Sequence, residues 1–209
     1  MKLIACSLLL LCALSISYLP ASEGRTPTAA PPPSSQSDDI NKTNWQQHPK
    51  IKAVRAIVQT VKNGLGRKAF KVRTREFEYC EPYEDGLRSI ATDKRGRVRY
   101  YEKQAGSDDS ALKWEHYYDE EGRLRFVLIT GGAANGSELE HRIYFDESGA
   151  RIWEEQKYTK GEGYTFPAVW PAEQLHFNNV AAAFAAKSPC PEKRSSKSKA
   201  QSPKPKHRS

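Results

Sequence analysis

The chain of 209 residues carries 33 Lys and Arg against 25 Asp and Glu, with a mean hydropathy of -0.74. That length accommodates one domain of ordinary size plus tails, and 38% hydrophobic content excludes a multi-span membrane protein. The net charge of +8 is unevenly placed: residues 25–192 sum to +1, whereas residues 193–209 hold seven cations and no acid. Basicity belongs to the C-terminal end of the chain, not to the body.

Lys2, the apolar run 3–16 and the small-residue exit Leu19-Pro20-Ala21-Ser22 read as a secretory signal peptide over 1–22, with cleavage near 21–24. The run is shorter than the ~20 residues that span a bilayer, so no transmembrane segment is expected after its removal. The expected location is therefore periplasmic or secreted. Cys6 and Cys12 fall within the signal, leaving Cys80 and Cys190. In an exported chain that pair predicts one disulfide, fixing the C-terminal segment to the body. Residues 23–48, rich in Pro and Ser and poor in apolar side chains, are expected to form a disordered linker. Residues 191–209 are expected to be a disordered basic tail. A single globular domain is expected over 49–190.

Within that domain, Pro49 suits a first helical turn, and Ile51, Val54, Ile57, Val58 and Val61 recur at spacings of three and four. This predicts an amphipathic helix that stops near Asn63-Gly64. Phe70, Val72 and Thr74 alternate, then Phe77 and Tyr79 alternate in shifted phase, predicting a bulged strand. No acid occurs between residues 50 and 75, while Lys50, Lys52, Arg55, Lys62, Arg67, Lys68, Lys71, Arg73 and Arg75 do. The expectation is a solvated basic face balanced by the acidic loops at 76–85 and 108–121.

A pattern then appears three times: Asp93-Lys94-Arg95-Gly96-Arg97-Val98, Asp119-Glu120-Glu121-Gly122-Arg123-Leu124 and Asp146-Glu147-Ser148-Gly149-Ala150-Arg151. Asp favours the first position of a type I turn and Gly the left-handed position that closes a three-residue hairpin loop. Each copy therefore joins two antiparallel strands. Continuous pairing from the turns would oppose Tyr118 to Leu124, His116 to Phe126, Trp114 to Leu128, Thr92 to Val98, Ile90 to Tyr100 and Ile143 to Trp153, and would separate an apolar from a polar face. A loop over 131–137 links the second hairpin to the third. Leu175, Phe177, Val180, Ala181 and Phe184 predict a C-terminal helix. The fold class is α+β: an antiparallel meander of six to seven strands packed against an N-terminal and a C-terminal helix.

Tyr118-Asp119-Glu120-Glu121-Gly122-Arg123-Leu124 resembles the YD motif of RHS-type repeats in bacterial surface proteins and toxins. The likeness covers about a third of the chain, and Thr92 and Phe145 stand where the other copies would have Tyr. What it implies is a bacterial extracytoplasmic β-protein, with no activity attached.

Motifs of metal binding, nucleophilic catalysis and phosphate cradling are absent from the sequence, so neither cofactor nor metal is expected. The predicted register gathers Tyr100, Trp114, His116, Tyr118, Phe126 and His141 on one face as a candidate ligand site for a small molecule or protein. A hydrolase would use His116 or His141 with Glu115 or Glu140, which strand alternation sets on the opposite face. Lys193, Arg194, Lys197, Lys199, Lys204, Lys206 and Arg208 form a second candidate site, for an envelope polyanion. The tail has no aromatic side chain, so specific nucleic-acid recognition is not expected. The reading that follows is an exported, non-enzymatic binding protein, with envelope attachment through the tail and hydrolysis as alternatives.

Overall fold

The computed structural model describes residues 39–81, 85–161, 163, 166 and 170–193. The expected signal peptide, most of the expected linker and the chain from Arg194 lie outside them. Helix α1 (Pro49–Gly66) is followed by seven strands: β1 (Lys71–Glu76), β2 (Asp85–Thr92), β3 (Val98–Gly106), β4 (Ser110–Tyr118), β5 (Leu124–Ala133), β6 (Glu138–Phe145) and β7 (Arg151–Lys160). Short helices α2 (Ala172–Leu175) and α3 (Val180–Ala185) follow. The strands form one antiparallel sheet in sequence order, so the fold is α+β.

The N-terminal boundary moves from residue 49 to about 39. Trp45 is buried, stacking on Trp153 at 5.7 Å and meeting Tyr144 edge-on at 6.1 Å. Burial of Trp45 anchors the segment, and the Asn41 and Asn44 side chains take up backbone groups of residues 39–44, so packing and turn hydrogen bonds together order it. His48 then caps α1, its Nδ1 accepting the Lys50 N–H at 3.3 Å, and Pro49 supplies the preset first turn. Ile51, Val54 and Val61 are fully buried against the sheet, each contributing about 1.5–3 kcal/mol. Gly64 does not stop the helix. Its missing Cβ makes room for Phe70, whose ring would lie 2.4 Å from an added methyl carbon. The helix ends two residues later at Gly66 with Arg67 as its cap, and Lys68 beyond it takes a left-handed φ of 54°.

All three predicted hairpins are present, with Gly96, Gly122 and Gly149 at φ near 80°. Asp93, Asp119 and Asp146 each accept two backbone N–H groups of their own turn through Oδ1. The loop at 131–137 shortens to the same geometry: β5 runs on to Ala133, and Gly136 closes the turn at φ 83°. Beyond Glu76 the expected bulged strand is reduced to a single bridge between Phe77 and Glu192. The C-terminal helix is broken in two at residues 176–179.

The predicted register is correct at the first pair of each hairpin and one residue out beyond it. Thr92 pairs with Val98, but Ala91 pairs with Tyr100; Tyr118 pairs with Leu124, but Tyr117 pairs with Phe126. Phe145 pairs with Arg151, and Tyr144 with Trp153. A β-bulge at Arg99, Arg125 and Ile152 absorbs the extra residue and reverses the phase of the strand after it. His116 therefore opposes Val127, Trp114 opposes Ile129, and Leu128 faces Arg142 on β6.

Both faces of the sheet are consequently apolar. One gathers Ile90, Tyr101, Trp114, Tyr118, Val127, Ile129, Leu139 and Ile143 beneath Phe166, Trp170, Leu175 and Phe184 of the C-terminal segment. The other gathers Ala91, Tyr100, Tyr117, Phe126 and Tyr144 beneath Trp45 and α1. Cys80 and Cys190 are joined in a disulfide, with Cα atoms 5.4 Å apart. Arg88 Nη1 donates to the Ala183 and Ala186 carbonyls and Arg75 Nη1 to those of Phe184 and Ala186, which binds this segment to the first two strands.

The bulge arginines tie one hairpin to the next. Arg99 Nε donates to the Tyr118 carbonyl and Arg125 Nε to that of Phe145, each at 3.3 Å. Arg125 also pairs with Asp119 at 3.2 Å, and both side chains are buried. Removing one member of such a pair strands the other, at a typical cost of about 3–5 kcal/mol. Asp119 retains Arg123 as a partner, so Arg125→Met should lose about 2–4 kcal/mol in urea unfolding at pH 7. A loss below the scatter of surface substitutions would show that the ladder of bulge arginines does not hold the hairpins together.

Candidate functional site

The six residues placed together by sequence pattern divide between the two faces. Trp114, His116, Tyr118 and His141 lie on the side of the C-terminal segment, whereas Tyr100 and Phe126 lie under α1. The bulges at Arg99 and Arg125 are the cause, since each displaces the residue after it to the other face.

Neither histidine reaches solvent. His116 is fully buried, with Nε2 3.1 Å from the Gln174 carbonyl and its ring packed edge-on to Phe177 at 5.3 Å. Burial lowers its pKa to about 4, despite hydrogen bonds to backbone that favour the charged form. His141 Nδ1 accepts the indole N–H of Trp170 at 2.9 Å, which puts the ring proton on Nε2. That nitrogen faces Glu154 Oε2 at 3.3 Å. Burial lowers its pKa as well, with the Glu154 charge opposing. Glu115 and Glu140, the carboxylates named with the hydrolase alternative, stand on the opposite face from both histidines, and the carboxylate that reaches His141 is Glu154. Both imidazoles act as pins for the segment that covers them.

An open concavity lies instead on the α1 side. α1 covers the half of that face next to the Asp-x-x-Gly turns, and the far half forms a groove of about 620 Å³. Its floor is built from small residues, Gly106, Ala111, Thr130 and Gly132, with Gln104, Lys113, Glu138, Glu140 and Thr159 around them. Gly132 adjoins open space: a Cβ there would meet nothing within 4 Å. Charges along the groove are matched locally. Lys113 pairs with Glu115 at 3.1 Å, Glu140 with Arg142 at 3.0 Å and Lys157 at 3.4 Å, and Glu138 with Lys160 at 3.6 Å.

Two tyrosines join this polar strip to the aromatic layer under α1. The Tyr100 hydroxyl donates toward Glu102 Oε2 at 2.6 Å and Glu115 Oε1 at 2.9 Å, and the Tyr117 hydroxyl donates to Glu115 Oε1 at 3.0 Å. Burial, then the Glu115 charge, raises the pKa of both phenols far above the ordinary value. They are fixed donors at any physiological pH. The sequence signal for the groove was the alternation Glu102-x-Gln104, Lys113-x-Glu115 and Glu138-x-Glu140-x-Arg142, which reads equally well as an ordinary solvated face.

No protein-family model matches the chain, and no curated protein or solved structure is significantly similar to it. The likeness to YD repeats thus rests on the turn chemistry alone. Of the basic tail, Lys193 is described, its N–H donating to the Glu76 carbonyl at 2.9 Å. Arg194, Lys197, Lys199, Lys204, Lys206 and Arg208 lie outside the described residues. Among the described residues no cluster of His, Cys, Asp or Glu could hold a metal ion, and no helix is long and apolar enough to cross a membrane.

The buried histidines set a pH dependence. His116 has a folded pKa near 4 and an unfolded one near 6.5, so the unfolded chain binds more protons between them. Its contribution is complete above pH 6.5 and is lost as pH falls toward 4, amounting to roughly 3 kcal/mol. Denaturation at pH 7 and pH 4.5 should show this loss, and His116→Gln should flatten it while keeping a donor for the Gln174 carbonyl. An unchanged slope in that variant would show that His116 is not the group that titrates.

Proposed function

We propose that the protein is an exported, non-enzymatic binding module whose ligand lies in the groove over β3–β6. The observation that carries this reading is the half-covered sheet face, where small residues form a floor and polar side chains surround it. A polar strip of an antiparallel sheet can stand in water, and the concave floor of small residues is what leaves room here for a ligand. Export is supported by the Cys80–Cys190 disulfide and by the signal-like N-terminus.

The chemistry of the groove favours a neutral, hydroxyl-rich ligand. Each charged side chain already has a partner, so the groove offers donors and acceptors side by side without a net charge to select an ion. The Thr130 hydroxyl, the Gln104 amide and the Glu140 carboxylate are the pattern that ring hydroxyls require. A neutral oligosaccharide fits this description, and the open ends of the groove suit a chain of several residues.

Calorimetric titration with cellohexaose, maltohexaose and chitohexaose tests the proposal. At least one should bind with a Kd below about 1 mM. Gly132→Leu places a side chain in the open groove without a backbone clash, so it should keep the melting temperature and weaken binding at least tenfold. Failure of all three sugars to bind, or equal binding by the variant, overturns it.

A further inference from the structure

We propose that the corner formed by the end of α1, the start of β1 and the β2–β3 turn is a binding surface for an anionic polysaccharide. Arg67 and Lys68 follow α1, Lys71 opens β1, and Lys94 and Arg95 form the tip of the turn after β2. Register brings them together, since Lys71 pairs with Thr92 and the turn begins at the next residue. All five side chains are exposed, and among the described residues none makes an ion pair.

Several acids of the loops that the sequence offered as counter-charge have partners elsewhere. Asp85 pairs with Arg88 at 2.6 Å and with Lys103, Asp108 accepts the Tyr79 hydroxyl at 2.8 Å, and Asp119 holds Arg123 and Arg125. Glu121 pairs with Arg123 at 3.1 Å. The acid nearest the corner, Asp93, is taken up by two N–H groups of its own turn and by Arg97 at 3.2 Å. Five cations therefore stand uncompensated on a body whose net charge is close to zero.

Lys68 adds a second, independent observation. It is the one non-glycine residue with positive φ among those described, at the position where a helix end usually carries Gly. The left-handed conformation is less favourable for Lys than for Gly, and it sets the Lys68 side chain at the corner beside Arg67.

The surface suits a ligand that lies across three elements. Phe70, the aromatic ring beside it, is half-buried against Gly64 and beneath Arg99, so no ring is presented for base stacking. Val72 is the exposed apolar side chain nearby, too little for a membrane wedge. Repeating sulfate or carboxylate groups on a flexible chain match five exposed cations spread over three elements. The root of the basic tail sits at the other end of β1, where Lys193 bonds to Glu76 and Glu192 pairs with Arg75 at 3.0 Å.

Binding of fluorescent heparin and of polygalacturonate to the full chain, across a salt series, tests this. Two neutralised proteins are compared: one with Arg67, Lys71, Lys94 and Arg95 changed to Gln, the other with Arg194, Lys197, Lys199, Lys204, Lys206 and Arg208 changed to Gln. The corner variant should lose at least tenfold in affinity and lower the slope of log K against log salt by about one per contact removed. The tail variant should keep corner binding with a shallower slope. Loss confined to the tail variant overturns the proposal, as does tighter binding of duplex DNA than of either polysaccharide at equal salt. Lys68→Gly should raise the melting temperature by about 2–4 °C while weakening heparin binding. Unchanged affinity in that variant overturns the part assigned to Lys68.

Discussion

One extra residue beside each Asp-x-x-Gly turn sets the rest of this structure. At Arg99, Arg125 and Ile152 the strand leaving the hairpin gains a residue that its partner lacks, and everything beyond changes face. Without those bulges His116 would share a face with Phe126 and Leu128. With them, Phe126 joins Tyr100, Tyr117 and Tyr144 under α1, and His116 joins Val127 and Ile129 under the C-terminal segment. A sheet with one wet side becomes a sheet with an apolar layer on each side, which is why it needs two separate coverings.

The turns, the strand number and α1 were legible because each rests on local chemistry: Asp oxygens accepting turn N–H groups, Gly at positive φ, apolar side chains every three to four residues. The bulges were not legible. Arg99 and Arg125 look like outward-facing strand residues until the carbonyls of the next hairpin, at Tyr118 and Phe145, and the Asp119 carboxylate beside Arg125 meet the buried guanidinium groups. Those partners are supplied by tertiary structure. The same holds for Trp45, a lone aromatic in a polar stretch until Trp153 and Tyr144 come to meet it. The disulfide was readable from cysteine parity alone. The groove was not, because alternating Glu, Lys and Gln on a strand look the same whether the face is flat or concave.

Side chains that invite a chemical reading and side chains that are free to act are different sets in this protein. His116, His141 and Trp170 are specified by their neighbours down to the tautomer, and they serve cohesion. Lys71 belongs to no motif, and Lys94 and Arg95 fill the variable positions of the first turn, yet all three face water without a counter-ion. Function in such a fold is read from what has been left unmatched or uncovered, and packing accounts for much of the rest.

The topology also dictates an order of assembly. Every strand pairs only with its neighbours in sequence, so the sheet has low contact order and can close hairpin by hairpin. The C-terminal segment is the exception: it returns across the meander, and its disulfide closes a separation of 110 residues. Its contacts with β2 and β3 are long-range, so they carry a loop-closure cost that the hairpins do not. Cys80–Cys190 ties the far end of the segment beside β2 while β7 holds its near end, so the covering of the histidine face is anchored at both ends.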